Sequence, residues 1–391
     1  MPASALTPTE LYAIDTLLTD EQRAIRESVR HFADDHLRPH LLGWFESGEL
    51  PARELARQLG ALGVLGMHLE GYGCAGTDAT SYGLACLELE AADSGIRSLV
   101  SVQGSLAMYA IHAYGTEDQR QRWLPGMAAG ELIGCFGLTE ADAGSDPGSM
   151  RTSAVADGPD WVLNGTKMWI TNGSVADVAI VWARCEGTVR GFVVPTESPG
   201  FTARAIPHKL SLRASVTSEL VLDEVRLPAD ALLPGARGLS GPLGCLAEAR
   251  YGIVFGSIGA ARDCLETALA YAGSREQFGK PIAGFQLTQR KLAEMAVAVG
   301  NGHLLALHLG RLKDAGVLST QQVSVGKFHN VDAALGVARE ARAILGGNGI
   351  SLEYPVIRHL VNLESVYTYE GTHDIHSLVI GQALTGIAAY R

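Results

Sequence analysis

Residues 161–185, WVLNGTKMWITNGSVADVAIVWARC, decide the fold because their pattern differs from that of the segments before and after them. Polar and apolar residues alternate there, and β-branched and aromatic residues are frequent, which is typical of half-buried β-strands. Two Asn-Gly pairs, Asn164-Gly165 and Asn172-Gly173, are strong signals for hairpin turns. The later stretches GFVVPT and SELVLDEVRLP continue the strand pattern, so the middle of the chain is predicted to be a β domain.

Helical patterns occupy the chain on both sides of this domain. SYGLACLELEAADSG and SLAMYAIHAYG are apolar helical runs closed by glycine, and LAEARYGIVFGSIGAARDCLETALAYA is apolar on most sides, as in a helix buried in a bundle or an interface. We therefore predict an N-terminal helical domain over residues 1–135, a β-sheet or barrel domain over 136–242 and a C-terminal helical domain over 243–391. Strands and helices do not alternate, which indicates an α+β fold and not a doubly wound sheet.

Composition and charge narrow the function classes. The chain has 391 residues, of which 47% are hydrophobic and 19% charged, as in globular proteins. Its net charge of −11 argues against a nucleic-acid partner, because binding to phosphates needs a basic face. We find no GxGxxG after a strand, no P-loop, no GxSxG and no HExxH, which disfavours a Rossmann NAD site and several hydrolase classes.

The cysteines and the N-terminus bear on the compartment. The six cysteines are scattered and form no CxxC pair or zinc-type spacing, which suits a reducing compartment and predicts no metal site. The N-terminal MPASALTPTELYAIDT lacks the basic and apolar regions of a signal peptide, and we find no uncharged stretch that is both long and apolar enough to span a bilayer. We expect a cytoplasmic protein with no membrane partner.

Several loops could hold a ligand, although each is weak alone. CFGLTEADAGSDPGSM (135–150) is rich in turn formers, and its main-chain N–H groups could hold a polar cofactor; an ordinary connector is the alternative. MWITNG puts Trp169 and Thr171 on one side of a strand, as a wall for a ring system or as part of the sheet core. SREQFGKPI and LGGNGI are turn-forming, and Gly346 and Gly347 permit close backbone approach.

Two charged residues stand in unusual surroundings. Arg97 lies in a run without other formal charges from residue 95 to 115, so burial would require an anionic partner, either Glu90 or Asp93 or a substrate carboxylate. Glu370, in YTYEGTHDIH (367–376), is either a solvated charge before a helix capped by Thr372 or a general base held against an apolar surface. The stretch alone leaves both interpretations open.

Taken together, these segments resemble the acyl-CoA dehydrogenase family over essentially the whole chain. FGLTEADAGSD, WITNG, SREQFGKPI, LGGNGI and YEGTHDIH occur in the family's order and spacing. DSGIRS, CFGLTE, KLSLRAS, ARYGI and NLESVYTYEGTHDIH are most similar to the members that oxidise glutaryl-CoA. The resemblance implies an N-terminal helical domain, a middle β domain and a C-terminal four-helix bundle.

The resemblance also implies a reaction and its partners. It implies an FAD-dependent oxidoreductase acting on a CH-CH group, which converts glutaryl-CoA to crotonyl-CoA and CO2 in lysine and tryptophan degradation. Family members are usually homotetramers and pass electrons to an electron-transfer flavoprotein. A short-chain acyl-CoA dehydrogenase without decarboxylation, an acyl-CoA oxidase or monooxygenase, and a non-enzymatic scaffold remain as alternatives.

Individual residues match functional positions of the family. Glu370 matches the catalytic base. Matches to residues against the flavin are Phe136, Leu138, Thr139, Gly144, Ser145, Trp169, Ile170 and Thr171. Matches to further FAD contacts, some made to a neighbouring subunit's cofactor, are Arg275, Gln286, Gly346, Gly347, Thr372 and Asp374. Matches to acyl-CoA contacts are Arg97, Ser98, Ser101, Ser145, Arg250, Tyr369 and Gly371, of which Arg97, Ser98 and Ser101 form the pocket for the distal carboxylate.

The chain departs from the family pattern at three positions. Ala247 and Glu248 stand where asparagines are frequent, and Pro355 stands where a polar residue is expected. These departures concern the finer contacts to the acyl chain and CoA, and not the base or the flavin.

Overall fold

The computed structural model describes residues 6–389, in which helices, a sheet and helices follow one another in the predicted order. The stretch in which we expect no signal peptide begins at residue 1, so its first five residues lie outside the described part of the chain. The N-terminal domain contains eight α-helices among the described residues: α1 Pro8–Leu11, α2 Asp20–Phe32, α3 Arg38–Ser47, α4 Ala52–Ala61, α5 Ala79–Ala92, α6 Ser94–Ser101, α7 Tyr109–Tyr114 and α8 Glu117–Ala128. Two π-helical segments, Ala33–Leu37 and Val102–Met108, join α2 to α3 and α6 to α7.

The middle domain is a seven-stranded sheet in the order β1-β4-β2-β3-β7-β6, with β5 paired to β4. Its strands are β1 Gly134–Gly137, β2 Ser153–Asp157, β3 Asp160–Thr171, β4 Val178–Cys185, β5 Thr188–Pro195, β6 Phe201–Ala205 and β7 Thr217–Leu227. Most pairs are antiparallel, but β1 runs parallel to β4. This mixed sheet explains why the sequence showed alternating strands without the helical crossovers of an α/β protein.

The predicted hairpin at Asn164-Gly165 is wrong. Both residues lie inside β3, where the register against β7 shifts between Leu163 and Gly165. A side chain at Gly165 would overlap Thr152, so the glycine permits a close approach and not a reversal. Asn172 does adopt a left-handed conformation and ends β3, as expected of a turn residue.

The C-terminal domain consists of long packed helices: α9 Ser240–Ser274, α10 Gln286–Asp314, α11 Thr320–Ile344, α12 Pro355–Thr368 and α13 His373–Thr385. A short hairpin, β8 Glu276–Gln277 with β9 Lys280–Pro281, lies between α9 and α10. The predicted α+β architecture with its terminal helical bundle is therefore confirmed.

Helix α10 (Gln286–Asp314) bears on the expectation that no stretch could span a bilayer. By length and composition alone, this helix is long and apolar enough to do so. Half of its most apolar window is buried inside the protein, and a core helix of a bundle passes the same test.

Glycines allow α5 to pack directly against α9. All residues of α5 are buried, and a Cβ at Gly259 of α9 would overlap the carbonyl oxygen of Leu87. A Cβ at Gly256 would likewise overlap the carboxylate of Glu90. Because interiors are close-packed, this contact fixes the position of α5 relative to the bundle.

We therefore expect Gly259→Ala to destabilise the protein by about 1–3 kcal/mol, because the added methyl group has no space. The matched control is Gly336→Ala on α11, whose Cβ would meet nothing within 4 Å. Alanine is the better helix former by about 1 kcal/mol, so the control is expected to be neutral or more stable. Thermal unfolding at fixed protein and cofactor concentration measures both, and equal Tm values for the two variants would contradict the packing argument.

Candidate active site

Glu370 lies in a short connection between α12 and α13. Helix α13 is capped by Thr372, whose Oγ1 accepts a hydrogen bond from the Ile375 N–H at 3.2 Å. The capping expectation for Thr372 was therefore correct, but Glu370 is not a solvated charge. Its Oε2 is buried and has no hydrogen-bond partner within residues 6–389.

The backbone at Glu370 is held in an unfavourable conformation. Its φ is +53°, in the left-handed region, which costs a residue with a side chain roughly 1–2 kcal/mol. Arg250 Nε donates to the Glu370 carbonyl at 2.6 Å. Lys327 Nζ donates to the carbonyl of Tyr369 and, at 2.6 Å, to that of Gly371. Three consecutive carbonyl groups are thus bound by cationic side chains, which offsets the strain.

Gly371 has a φ of +96°, which favours glycine. A Cβ there would come within 2.9 Å of His376 Nε2. His376 is buried and its Nδ1 contacts Ser324 Oγ at 3.1 Å. Burial lowers the pKa of His376 to about 3, so the imidazole is neutral. Among residues 6–389, no group of three or more potential ligands could hold a metal ion.

Burial and neighbouring charges have opposite effects on the pKa of Glu370. Burial raises the pKa of the Glu370 carboxyl, and the positive charges of Arg97, Lys327 and Arg250 act in the opposite direction. A base with a raised pKa accepts a proton more readily than an exposed carboxylate does, while the cations keep part of it ionised. This balance is what a general base in a dry pocket needs.

Arg97 is fully buried and makes two of its possible contacts with protein groups. Its Nε donates to Glu90 Oε2 at 2.7 Å, and its Nη2 donates to the Tyr369 hydroxyl. Asp93, the other acid considered in the sequence, instead binds Arg358 and Asn362. Arg97 Nη1 is buried and has no partner in the described part of the chain. One donor of the guanidinium therefore remains available to an anion.

The serines near Arg97 complete this pocket. Ser98 Oγ lies 3.5 Å from the Tyr369 hydroxyl, at the limit of hydrogen bonding. Ser101, one helical turn after Arg97, has a buried Oγ without a partner in residues 6–389. Buried polar atoms are normally paired, so Arg97 Nη1, Ser101 Oγ and Glu370 Oε2 together indicate a site for a polar ligand.

The residues matched to the flavin lie where β1 leaves the sheet. Phe136 and Leu138 are buried, and the Thr139 carbonyl accepts a hydrogen bond from the Met168 N–H at 2.9 Å. The neighbouring Trp169 is 59% exposed and has a φ of +64°, within a bulge of β3. Trp169 is therefore not a sheet-core residue.

The other matched positions differ in exposure. Ile170 is buried and Thr171 half-buried, while Gly144 and Ser145 are exposed in the loop after β1. A large flat side chain is thus presented beside a polar loop. The residues assigned to FAD in the sequence fit a planar ring system with polar substituents.

Glu140, which sequence reasoning missed, organises that loop. Its carboxylate accepts hydrogen bonds from the main-chain N–H groups of Arg151 and Thr152, at 2.6 and 2.9 Å, and from Lys167 Nζ at 2.9 Å. Lys167 also donates to the Leu138 carbonyl at 3.1 Å. Burial alone would raise the pKa of Glu140, but these donors lower it to about 2. A lysine at an inward position of β3 was the available signal.

A second set of matched residues lies on the surface at one end of the bundle. Arg275, Gln286, Gly346 and Gly347 are exposed there on the single chain. Asp374 is also exposed but lies away from this end, at the start of α13, beside the first turns of α11. The segments around 275 and 347 are joined by a hydrogen bond from Asn348 Nδ2 to the Tyr271 hydroxyl at 3.1 Å. Large apolar side chains are exposed in the same segments: Phe278, Leu287 and Ile350.

The three departures have structural explanations. Glu248 accepts a hydrogen bond from Lys313 Nζ at 2.8 Å, and both residues line a pocket with Ala247. Pro355 is the first residue of α12, where its missing N–H costs nothing.

Comparisons with known proteins agree with this geometry. The chain matches the family models for the acyl-CoA dehydrogenase N-terminal domain over residues 19–131, middle domain over 135–225 and C-terminal domain over 236–385. A crystal structure of glutaryl-CoA dehydrogenase from Mycobacterium smegmatis is 66% identical with a TM-score of 0.98, covering 99% of this chain and 100% of that one.

Two further relatives support the assignment. A glutaryl-CoA dehydrogenase from Mycobacterium smegmatis in complex with FADH2 is 63% identical, with a TM-score of 0.98 and the same coverage. The mitochondrial short-chain specific acyl-CoA dehydrogenase of Bos taurus is 34% identical over 382 residues, which are 96% of this chain and 92% of that protein. The chain therefore belongs to the acyl-CoA dehydrogenase family.

Proposed function

We propose that this protein is an FAD-dependent dehydrogenase that oxidises glutaryl-CoA and decarboxylates the product to crotonyl-CoA and CO2. One observation supports the choice of substrate. The buried Arg97 donates from Nη2 to Tyr369, the residue before Glu370, while its Nη1 has no partner among residues 6–389. A buried cation with a free donor is a site for a carboxylate. The similarity to glutaryl-CoA dehydrogenases of Mycobacterium smegmatis supports the same substrate.

The first step is removal of the α-proton of the thioester by Glu370. The carboxylate oxygen Oε2 is buried and unpartnered, so it needs to give up no hydrogen bond before it accepts the proton. Desolvation strengthens the base, because water no longer stabilises its negative charge. Arg250 and Lys327 hold the carbonyl groups of Glu370 and Gly371. These hydrogen bonds fix the direction from which the Glu370 carboxylate approaches the α-carbon of the substrate.

FAD, when bound, supplies the acceptor for the hydride that leaves the β-carbon. Residues around Trp169, Thr139 and Ser145 would hold its ring system within the chain. Arg275, Gln286, Gly346 and Gly347 would contact the cofactor from the exposed end of the bundle. The described residues of this chain thus provide binding and orientation for the dehydrogenation.

The second step is loss of CO2 from the unsaturated thioester. The bond between the γ-carbon and the carboxylate breaks, and its electron pair moves through the new double bond into the thioester as a dienolate. The proton held by Glu370 then returns to the γ-carbon and gives crotonyl-CoA, so atoms and charge balance. Arg97 binds the carboxylate of the substrate before this step. Glu90 forms an ion pair with the same guanidinium group.

The alternative is a short-chain acyl-CoA dehydrogenase without decarboxylation, and the 34% identical bovine relative represents that class by its name. A purely monocarboxylate substrate would leave Arg97 Nη1 and Ser101 Oγ buried without partners. Because such atoms cost about 1–3 kcal/mol each, the dicarboxylate substrate accounts better for the pocket.

We further propose a homotetramer that passes electrons to an electron-transfer flavoprotein in the cytoplasm, within lysine and tryptophan degradation. The exposed apolar side chains of the segments 274–282 and 345–350 support contact between subunits, since Phe278 is 94% exposed on the single chain. The sequence has no NAD-binding motif that would offer another acceptor. Nucleic acid and membrane are not proposed as partners.

The decisive assay is incubation with glutaryl-CoA and an artificial electron acceptor, in which we expect both crotonyl-CoA and CO2. Glu370→Gln retains the shape but removes the proton acceptor, and is expected to lower flavin reduction by at least about a hundredfold while FAD and acyl-CoA still bind. Glu364→Gln, a surface carboxylate on α12, is the matched control and is expected to react as the unmodified protein does. Normal flavin reduction by Glu370→Gln would refute the base assignment.

Arg97→Met tests the carboxylate pocket. We expect glutaryl-CoA to be used about a hundredfold less efficiently or worse, because a buried charged pair with the substrate is lost. Butyryl-CoA, which has no distal carboxylate, is expected to lose much less of its kcat/KM than glutaryl-CoA does. Its remaining loss comes from the pKa of Glu370, which rises when the Arg97 charge is removed, so the two substrates are compared at the same pH.

This variant also leaves Glu90 buried without its cation. The double variant Glu90→Gln, Arg97→Met removes both charges and is expected to show the same preference for butyryl-CoA. Equal losses on the two substrates in the double variant would mean that Arg97 is only structural, and the glutaryl-CoA assignment would lose its main support.

Phe278→Ser tests the assembly. We expect smaller species in sedimentation and a lower FAD content, because the exposed ring would no longer be covered by a partner subunit. Val155→Ser, an exposed valine of the β domain, is the matched control. A monomer of the unmodified protein with full FAD content and activity would contradict the proposal.

A further inference from the structure

Lys327 is a buried lysine whose hydrogen bonds go to main-chain groups. Burial lowers its pKa to about 7, and the negative charge of Glu370 acts in the opposite direction, so the lysine is charged at acidic pH. It lies on α11 and is 2% exposed. Within residues 6–389 its Nζ forms no ion pair with a carboxylate within 4 Å. Its two hydrogen bonds go to carbonyl groups of the connection between α12 and α13. A lysine removed from water without an acidic partner at contact distance is costly, so its placement requires a reason.

The two carbonyls belong to the residues on either side of the base, Tyr369 and Gly371. One nitrogen atom thus joins the carbonyl groups of the residues on either side of Glu370. The distance between these carbonyls depends on the φ and ψ angles of Glu370 and Gly371, which have φ values of +53° and +96°. Arg250 holds the carbonyl of Glu370 itself from α9, so the strained backbone is fastened from two helices.

We infer that Lys327 is a positioning residue for the base: it holds Glu370 in its left-handed conformation through the two flanking carbonyls and places a positive charge beside the carboxylate. The inference rests on the proposed role of Glu370 in proton removal. It does not depend on which acyl group is oxidised, because the hydrogen bonds of Lys327 go to main-chain carbonyls and not to Arg97 or the serines near it.

The positive charge has a predictable effect on pH dependence. The charged or titratable groups that face Glu370 come from five helices and its own loop: Cys86 and Glu90 of α5, Arg97 of α6, Arg250 of α9, Lys327 of α11, His376 of α13 and Tyr369. Removing Lys327 withdraws one of the three cations that lower the pKa of Glu370. The base acts only when ionised, so the rate falls as pH decreases through its pKa. This fall is the acidic limb of the pH–rate profile. Loss of the lysine raises the pKa of Glu370 and must therefore move the acidic limb to higher pH.

The experiment measures flavin reduction by glutaryl-CoA and by butyryl-CoA as a function of pH. Lys327→Met removes the charge and both hydrogen bonds, and is expected to slow the reduction roughly ten- to a hundredfold with little change in acyl-CoA affinity. Lys327→Gln removes the charge but keeps an amide donor, and is expected to be intermediate in rate. In both variants the acidic limb of the pH–rate profile is expected to lie about one pH unit higher than in the unmodified protein.

Lys291→Met is the matched control. This lysine lies on α10, pairs with Glu340 of α11 and is partly exposed. Its removal deletes a lysine contact with the same helix without touching the loop of the base. We expect unchanged rates and an unchanged pH profile.

A folded, FAD-loaded Lys327→Met with the rate and pH profile of the unmodified protein would overturn the inference. If Lys327→Met does not fold, the same comparison is decided by Lys327→Gln, and an unshifted acidic limb there overturns it. An unmodified protein that reduces flavin with butyryl-CoA but not with glutaryl-CoA would refute the proposed substrate alone, and the lysine test would proceed with butyryl-CoA. An unmodified protein inert toward every acyl-CoA would overturn both.

Discussion

The rest of this site depends on one constraint: Glu370, the proposed base, must be ionised before it reacts, yet its Oε2 is buried. Burial favours the protonated form of Glu370, and the chain opposes that tendency with Arg97, Lys327 and Arg250. These cations come from three separate helices, α6, α11 and α9. None of them donates a hydrogen bond to the Glu370 side chain among the contacts described, so Oε2 stays unpartnered. The positive charge stabilises the ionised base without occupying the oxygen atom that must accept the proton.

The same constraint explains the tight packing of α5 against α9. Glu90 balances Arg97 from α5, and Gly256 of α9 leaves space for that carboxylate. A larger residue at Gly256 would displace Glu90 and leave the guanidinium without its acid, which is costly in a buried site. Stability and chemistry therefore meet at one helix contact: the glycines that let the helices approach also let the ion pair form.

The cofactor side of the site is built differently. There the Glu140 carboxylate gathers main-chain and lysine donors and shapes the loop after β1, beside the exposed Trp169. Other residues matched to FAD lie on a surface at the end of the bundle, together with exposed apolar side chains such as Phe278. A single chain thus carries two separate sets of residues that the resemblance matches to FAD, and this division is consistent with the proposed sharing of the cofactor between subunits.

Sequence by itself determined the order of helices, sheet and helices, because hydrophobic periodicity and β-branched content reflect local burial. It also singled out Arg97 as a cation in an otherwise uncharged run and Glu370 as an ambiguous carboxylate. It misjudged Asn164-Gly165, since a glycine needed for close approach to Thr152 has the same local signature as a hairpin turn. Lys327 and Glu140 escaped notice because nothing in their neighbouring residues shows what they contact.

Only the tertiary structure decided that Glu370 Oε2 is buried, that Glu90 and not Asp93 binds Arg97, and that Lys327 reaches two carbonyls more than 40 positions away. The physical reason is that local sequence determines backbone preference and average burial. The partner of a buried charge, and hence its pKa, is set by helices that meet only when the chain has folded.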